Sequence, residues 1–185
     1  MAQWHDYPNS MRKTEQPSAP IEIIRATTGQ ESVLANLLEL YAHDFSEFLD
    51  IELGEDGRFG YQQLPLYWRE PDRHAFLVRI GGKLAGLVLV KSGPARSGNA
   101  SVWDMAEFFI VRRYRRRGIG TEIAHQVWER FPGRWEIRVM NSNQPARNFW
   151  ERAILAFTGE PPQAVIIEKD GACWHLYAFD SSAQR

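Results

Sequence analysis

Between an apolar run, Val102 to Val111, and a segment of helical periodicity opening near Ile119, the chain reads Arg115-Arg116-Arg117-Gly118-Ile119-Gly120. A strand that ends in glycines and turns straight into a helix leaves successive backbone N–H groups bare, and the helix adds the positive end of its dipole. Arg112, Arg113, Arg115, Arg116 and Arg117 crowd the same turn. Fixed cations beside exposed amides suit a ligand carrying several phosphates. The helix bears an apolar stripe at Ile119, Ile123, Val127 and Phe131 and stops at Pro132-Gly133, after which Trp135, Ile137 and Val139 alternate with Glu136, Arg138 and Met140 as a strand. Strand, helix and strand in that order imply a parallel pair joined by a right-handed crossover.

The segments on either side read as antiparallel and helical elements. Ile21 to Ile24 is a short β-branched strand, and Thr28-Gly29-Gln30-Glu31 offers a capping box for a helix with apolar residues at Val33, Leu37, Tyr41, Phe45 and Phe48. That helix is expected to run to about Leu49, with a break near His43-Asp44. Gly54 to Asp72 mixes glycine and proline with Tyr61, Tyr67 and Trp68, the composition of a binding loop plus one short helix. Ala75 to Ile80 and Leu84 to Val90 form a hairpin about Gly81-Gly82-Lys83. Asn143-Gln144-Pro145 starts a helix whose inner face is Ala146, Phe149, Trp150, Ala153, Ile154 and Phe157. Val165 to Glu168 and Cys173 to Phe179 flank Lys169-Asp170-Gly171 as a terminal hairpin.

These elements predict an α+β fold in one domain over residues 21–185, preceded by a polar tail or strap at 1–20 carrying Pro8, Pro17 and Pro20. The length of 185 residues, with 44% apolar and 24% charged residues, fits a single globular core. A net charge of -1 gives no overall basic field, which argues against nucleic-acid binding. No run approaches the roughly 20 apolar residues of a membrane helix. The one cysteine, Cys173, has no partner for a disulfide or zinc site and reads as a buried strand residue, so a cytoplasmic location is expected.

With Arg115 to Gly120 after a meander of strands, and Asn143-Gln144-Pro145-Ala146-Arg147-Asn148-Phe149-Trp150 after the next strand, the chain resembles the GNAT superfamily of N-acetyltransferases over roughly Ile21 to Phe179. The nearest rival, a dinucleotide site, needs a G-x-G-x-x-G spacing that is absent. The resemblance implies a three-layer α/β/α architecture, its central twisted sheet mixed but mostly antiparallel and splayed at the acyl-CoA site. It implies acetyl-CoA as donor, held by Phe109, Ile110, Val111, Arg115, Arg116, Arg117, Gly118, Ile119, Gly120, Thr121 and Phe149, with Asn143 at its pantetheine or phosphate arm. It further implies transfer of acetyl to a primary amine of a small molecule or peptide, by direct attack in a ternary complex.

Glu107 is the lone acid in the apolar run Met105 to Val111 and the candidate general base, since an ammonium is no nucleophile and burial raises a carboxyl toward the useful range. Alternation leaves open whether it faces the site or solvent, because the family carries a bulge here. Trp150 stands where many members place a tyrosine that returns a proton to the departing thiolate. Indole cannot do so, leaving Tyr177 or Tyr41 to supply the hydroxyl. His43, Asp44 and Tyr67 are candidates for acceptor contact. A non-catalytic acyl-CoA-binding or regulatory domain is the alternative function, and a monomer or homodimer is equally compatible with the pattern.

Overall fold

The computed structural model describes residues 19–93, 99–169 and 171–182. The expected tail therefore lies outside the described residues apart from its last two positions, as does Asp170 of the terminal turn. Seven strands and three α-helices follow one another as β1 (Ile21–Arg25), α1 (Glu31–Phe45), β2 (Arg73–Ile80), β3 (Lys83–Ser92), β4 (Val102–Ile110), α2 (Ile119–Arg130), β5 (Arg134–Met140), α3 (Gln144–Thr158), β6 (Ala164–Lys169) and β7 (Ala172–Asp180). The strands form one sheet in the order β1-β2-β3-β4-β5-β7-β6. Among the described strands only β4 and β5 run parallel, as the crossover through α2 requires.

Each face of the sheet has its own core. Leu34, Leu37 and Leu38 of α1 pack on Leu77, Leu87, Leu89 and Phe109. On the other face Ile123, Val127 and Trp128 of α2, with Trp150, Ile154 and Phe157 of α3, cover Val78, Val88, Val90, Met105 and Ile137. Strands β2 and β3 are covered on both faces, which is why they read as continuous apolar runs rather than as alternating ones.

Three local expectations differ from the structure. The capping box sits one residue earlier, where the Thr27 N–H donates to Gln30 Oε1 at 3.1 Å and opens a short 3-10 turn ahead of α1. Helix α1 ends at Phe45: the Ser46 hydroxyl donates back to the His43 carbonyl at 2.8 Å, and Phe48 and Leu49 continue the apolar face in irregular turns. Cys173 is exposed, not buried.

Two features of β4 position the site. It pairs with β5 only where Val102, Trp103 and Asp104 meet Arg134, Trp135 and Glu136; beyond that the two strands diverge. Against β3, Met105 stands opposite Val90 and Glu107 opposite Leu89, so Ala106 is the extra residue of a bulge. Asp104 and Glu107 are three apart, a spacing that regular alternation sends to opposite faces. Their partners Lys91 and Leu89 are two apart, so the bulge brings both acids to the α1 face.

Candidate active site

The arginine-glycine turn follows β4 through one 3-10 turn, Arg112–Tyr114. Arg116 then adopts φ 62, the one positive value outside glycine among the described residues, and Gly118 takes φ 75 as the residue before α2. Two left-handed residues two apart fold the backbone into a concavity of N–H groups. Gly118 provides no side-chain cap, and among the described residues no acceptor takes the N–H groups of Arg116 through Thr121. Gly120 lets the Phe149 ring pack directly on the first turn of α2: a Cβ there would meet that ring at 3.1 Å.

The arginines divide into two groups. Arg115 is consumed by the protein. Its Nε donates to the Ile110 carbonyl at 2.5 Å, its Nη2 reaches Asp44 Oδ2 at 2.5 Å, and its guanidinium lies 5.4 Å from the Phe109 ring centre. Arg112 joins the same carboxylate through Oδ1 at 2.6 Å. Burial works to raise the Asp44 carboxyl, but these two guanidinium groups outweigh it and hold it below its usual range. Asp44 thus ties the end of α1 to the turn, a tether to Arg112 and Arg115 rather than a free wall of an acceptor pocket. Arg116 and Arg117 stay exposed and form no ion pair among the described residues.

Where β4 and β5 part, a cavity of about 410 Å³ opens through the sheet. Glu107 lines it, with Tyr41, Phe45, Phe59, Tyr61, Arg138 and Trp174 on the α1 side and Met105, Phe108, Asn143 and Trp150 toward α2 and α3. The Tyr61 hydroxyl donates to Glu107 Oε1 at 2.9 Å. Burial pushes the Glu107 carboxyl up to about 7, against the hydroxyls of Tyr41 and Tyr61, which favour its ionised form. Asp104, wholly buried behind it, is paired to Arg138 at 3.1 Å and lies 3.9 Å from Lys91.

Tyr61 comes from the loop after α1, and Glu39 fixes that loop. Its two carboxylate oxygens accept from the N–H groups of Phe59 at 2.8 Å and Gly60 at 3.0 Å. Neither Glu39 nor the Tyr61–Glu107 contact is legible in spacing. The clustering of aromatics in a long loop was the available signal.

The other predicted residues fall as follows. Asn143 caps α3, its Oδ1 accepting from the Ala146 N–H at 3.0 Å, and lines the cleft. Phe149 stacks on Phe108 with ring centres 5.6 Å apart. Ile119 packs on the core beneath the turn, while Thr121 is the third residue of α2. Phe109 points into the α1 core and Ile110 into the other. The Val111 N–H donates to the Ala85 carbonyl at 2.8 Å; by alternation the Phe108 and Ile110 N–H groups are those directed away from β3, toward the gap. Tyr177 lies on the opposite sheet face from Glu107, where its hydroxyl donates to Glu151 Oε1 at 2.9 Å, and it does not line the cleft. Tyr67 is buried behind the cleft in the α1 core, and His43 is exposed.

The sheet thus splays beside a bare-amide turn, with the half-buried Glu107 carboxyl in the gap. Residues 34–154 match the Acetyltransferase (GNAT) family, and the chain belongs to it. An acetyltransferase from Thermus thermophilus is similar in structure, with 15% identity, a TM-score of 0.66, and coverage of 89% of this chain and 99% of that one. The aminoglycoside acetyltransferase AAC(6')-Ib in complex with coenzyme A shares 12% identity at a TM-score of 0.66, over 89% and 96% of the two chains. The GNAT domain of PAT from S. lividans shares 15% identity at a TM-score of 0.58, over 88% and 90%. No curated protein matches the sequence. No helix among the described residues is long and apolar enough to cross a membrane.

Proposed function

We propose that the protein is an N-acetyltransferase that moves an acetyl group from acetyl-CoA to a primary amine, with Glu107 as general base. The observation that carries this reading is the placement of both ends of one strand. β4 delivers Glu107 into the cleft, and a few residues later its extension becomes the bare-amide turn. The residues present fit the donor: unpaired N–H groups from Arg116 to Thr121 and two unpaired arginines suit a pyrophosphate, and the gap between β4 and β5 suits an extended arm. Bound there, acetyl-CoA supplies the acyl group as a thioester.

The chain's own residues then have separable tasks. Phe108 and Ile110 N–H groups face the gap and can donate to a carbonyl oxygen held in it. Glu107, near 7, is partly ionised at neutral pH and takes a proton from the incoming ammonium. The neutral amine attacks the carbonyl carbon, a C–N bond replaces the C–S bond, and the thiol departs. Tyr61 holds the Glu107 carboxyl in one orientation throughout. Tyr41 lines the cleft, unlike Tyr177, and is the candidate hydroxyl for the departing sulfur, although burial and Glu107 push its pKa well up and make it a poor acid. Calorimetry with coenzyme A and thiol release with an amine panel test the two halves; no binding at high micromolar coenzyme A removes the reading. Coenzyme A binding without thiol release from any amine would instead favour a binding-only domain, which Trp150 at the expected tyrosine position motivates.

A further inference from the structure

The two sides of the cleft differ in chemistry, and the α1 side specifies what enters. Tyr41, Phe45, Phe59, Tyr61 and Trp174 form most of it, and among the described lining residues Glu107 is the one carboxylate. Two other acids share that sheet face but do not line the cavity. Asp104 is wholly buried, with Oδ2 paired to Arg138 and near Lys91, and Glu136 sits beside it on β5; Asp104 Oδ1 and Glu136 Oε2 are buried without partners, behind the lining and not in it. The one cation in the lining, Arg138, is paired to Asp104. Within the lining itself, the indole Nε1 of Trp174 is buried without a partner and supplies a donor, not an acceptor for a further ammonium group.

We propose that the acceptor is an arylalkylamine: one primary amine delivered to Glu107, and one flat aromatic body laid among Tyr41, Phe45, Phe59 and Trp174. This rests on the acyl-transfer reading above and narrows it. Each ammonium carried into a closed site needs a carboxylate partner to offset its lost hydration. A polyamine or aminoglycoside would bring several such groups to a wall with one carboxylate, beside the guanidinium of Arg138. An aromatic ring instead gains offset-stacked and edge contacts with rings already ordered, Tyr41 on Phe45 at 5.5 Å among them. AAC(6')-Ib, of similar fold, has been solved with kanamycin; the present cleft lacks the acids such a ligand demands.

The test is direct binding of amines to the coenzyme A-loaded protein by calorimetry, with 2-phenylethylamine, spermidine, kanamycin and L-phenylalanine as probes. The expected result is 2-phenylethylamine binding at least about tenfold more tightly than each of the others. Equal or tighter binding of spermidine or kanamycin overturns the proposal, as does preference for L-phenylalanine, whose carboxylate Arg138 would then be holding. No saturable binding of any probe also overturns it. Phe59→Asp, a loop position that adds a second carboxylate, is expected to narrow the gap to spermidine by about tenfold; an unchanged ratio counts against the assigned wall. Thiol release separates this from the reading beneath it. Tight 2-phenylethylamine binding without release removes catalysis and keeps the pocket, whereas release with spermidine preferred keeps catalysis and removes the pocket.

Discussion

The Tyr61 hydroxyl donates to Glu107 Oε1 at 2.9 Å, joining residues 46 positions apart and closing the loop after α1 onto β4. The contact couples the loop's position to the protonation state of Glu107. A hydrogen bond to the ionised carboxylate favours that form, so Tyr61 holds down a group that burial pushes up.

Tyr61→Phe removes this donor and leaves the ring. A hydrogen bond to a charged group contributes roughly 1.5 kcal/mol at the low end of its range, so the Glu107 carboxyl should rise by at least about one pH unit. The acidic limb of kcat/KM, expected near pH 7 in the native protein, moves upward by that amount. At pH 7 the rate falls several-fold, and near pH 9 it approaches the native value. A limb that stays in place would show that the group seen in the profile is not Glu107.

Glu107→Gln should lower activity and raise stability together. The carboxyl titrates at about 7 in the folded protein and near its ordinary 4.5 in the unfolded chain. The folded state therefore holds its proton more tightly, and stability is lost as pH rises from 4.5 through 7. Above that the native protein carries a penalty on the order of 3 kcal/mol for ionising a half-buried group. Glutamine keeps the shape and an acceptor for Tyr61 and has no such penalty. At pH 8 the variant should melt several degrees higher than the native protein, the two should converge near pH 4.5, and kcat/KM should drop about a hundredfold or more. Equal melting at pH 8 would mean that Glu107 is better hydrated than its surroundings indicate.

Local pattern and long-range contact explain what was readable in the sequence. The strand-turn-helix at Arg115 to Gly120, the crossover to Trp135 and the cap at Asn143 depend on residues close in sequence, and each appears where its pattern put it. The direction of Glu107 does not depend on near neighbours. It follows from the unpaired Ala106, visible only once Leu89 and Val90 are opposite β4. Asp44 gave no local sign that it would tie down Arg112 and Arg115, 68 and 71 residues away. Nor did Tyr177 show which face it would take; that follows from its place opposite Ile137 on a strand added last to the sheet.

Glu39→Ala tests whether the loop proposed to face the acceptor is held from α1. Its carboxylate accepts both loop N–H groups, and neither finds another acceptor among the described residues when it is removed. The loop that carries Phe59 and Tyr61 should loosen while the turn at Arg116 to Thr121, on the other side of the sheet opening, is untouched. The expected outcome is a KM for the amine raised about tenfold with the Kd for coenzyme A within about twofold of native. An equal loss of coenzyme A affinity would mean that the variant disturbs the whole cleft rather than its acceptor half.

Gly118→Ala and Gly120→Val ask whether phosphate is held by backbone amides or by arginine side chains. Gly118 lies at φ 75, where a Cβ costs about 1–2 kcal/mol, and relief of that strain turns the first N–H groups of α2 away from the concavity. At Gly120 the added branches press on Phe149, whose ring is 3.1 Å from the nearest Cβ position, and separate α2 from α3. Both substitutions leave every arginine of the turn in place. If the amides of Arg116 to Thr121 do the holding, each variant loses about tenfold or more in coenzyme A affinity by calorimetry while its far-ultraviolet circular dichroism stays native. Arg117→Ala should then cost only a few-fold, a loss that shrinks as salt is raised because its side chain is exposed. The reverse ranking, with Arg117→Ala the more damaging, would assign the phosphate to the guanidinium groups and reduce the glycines to shaping the turn.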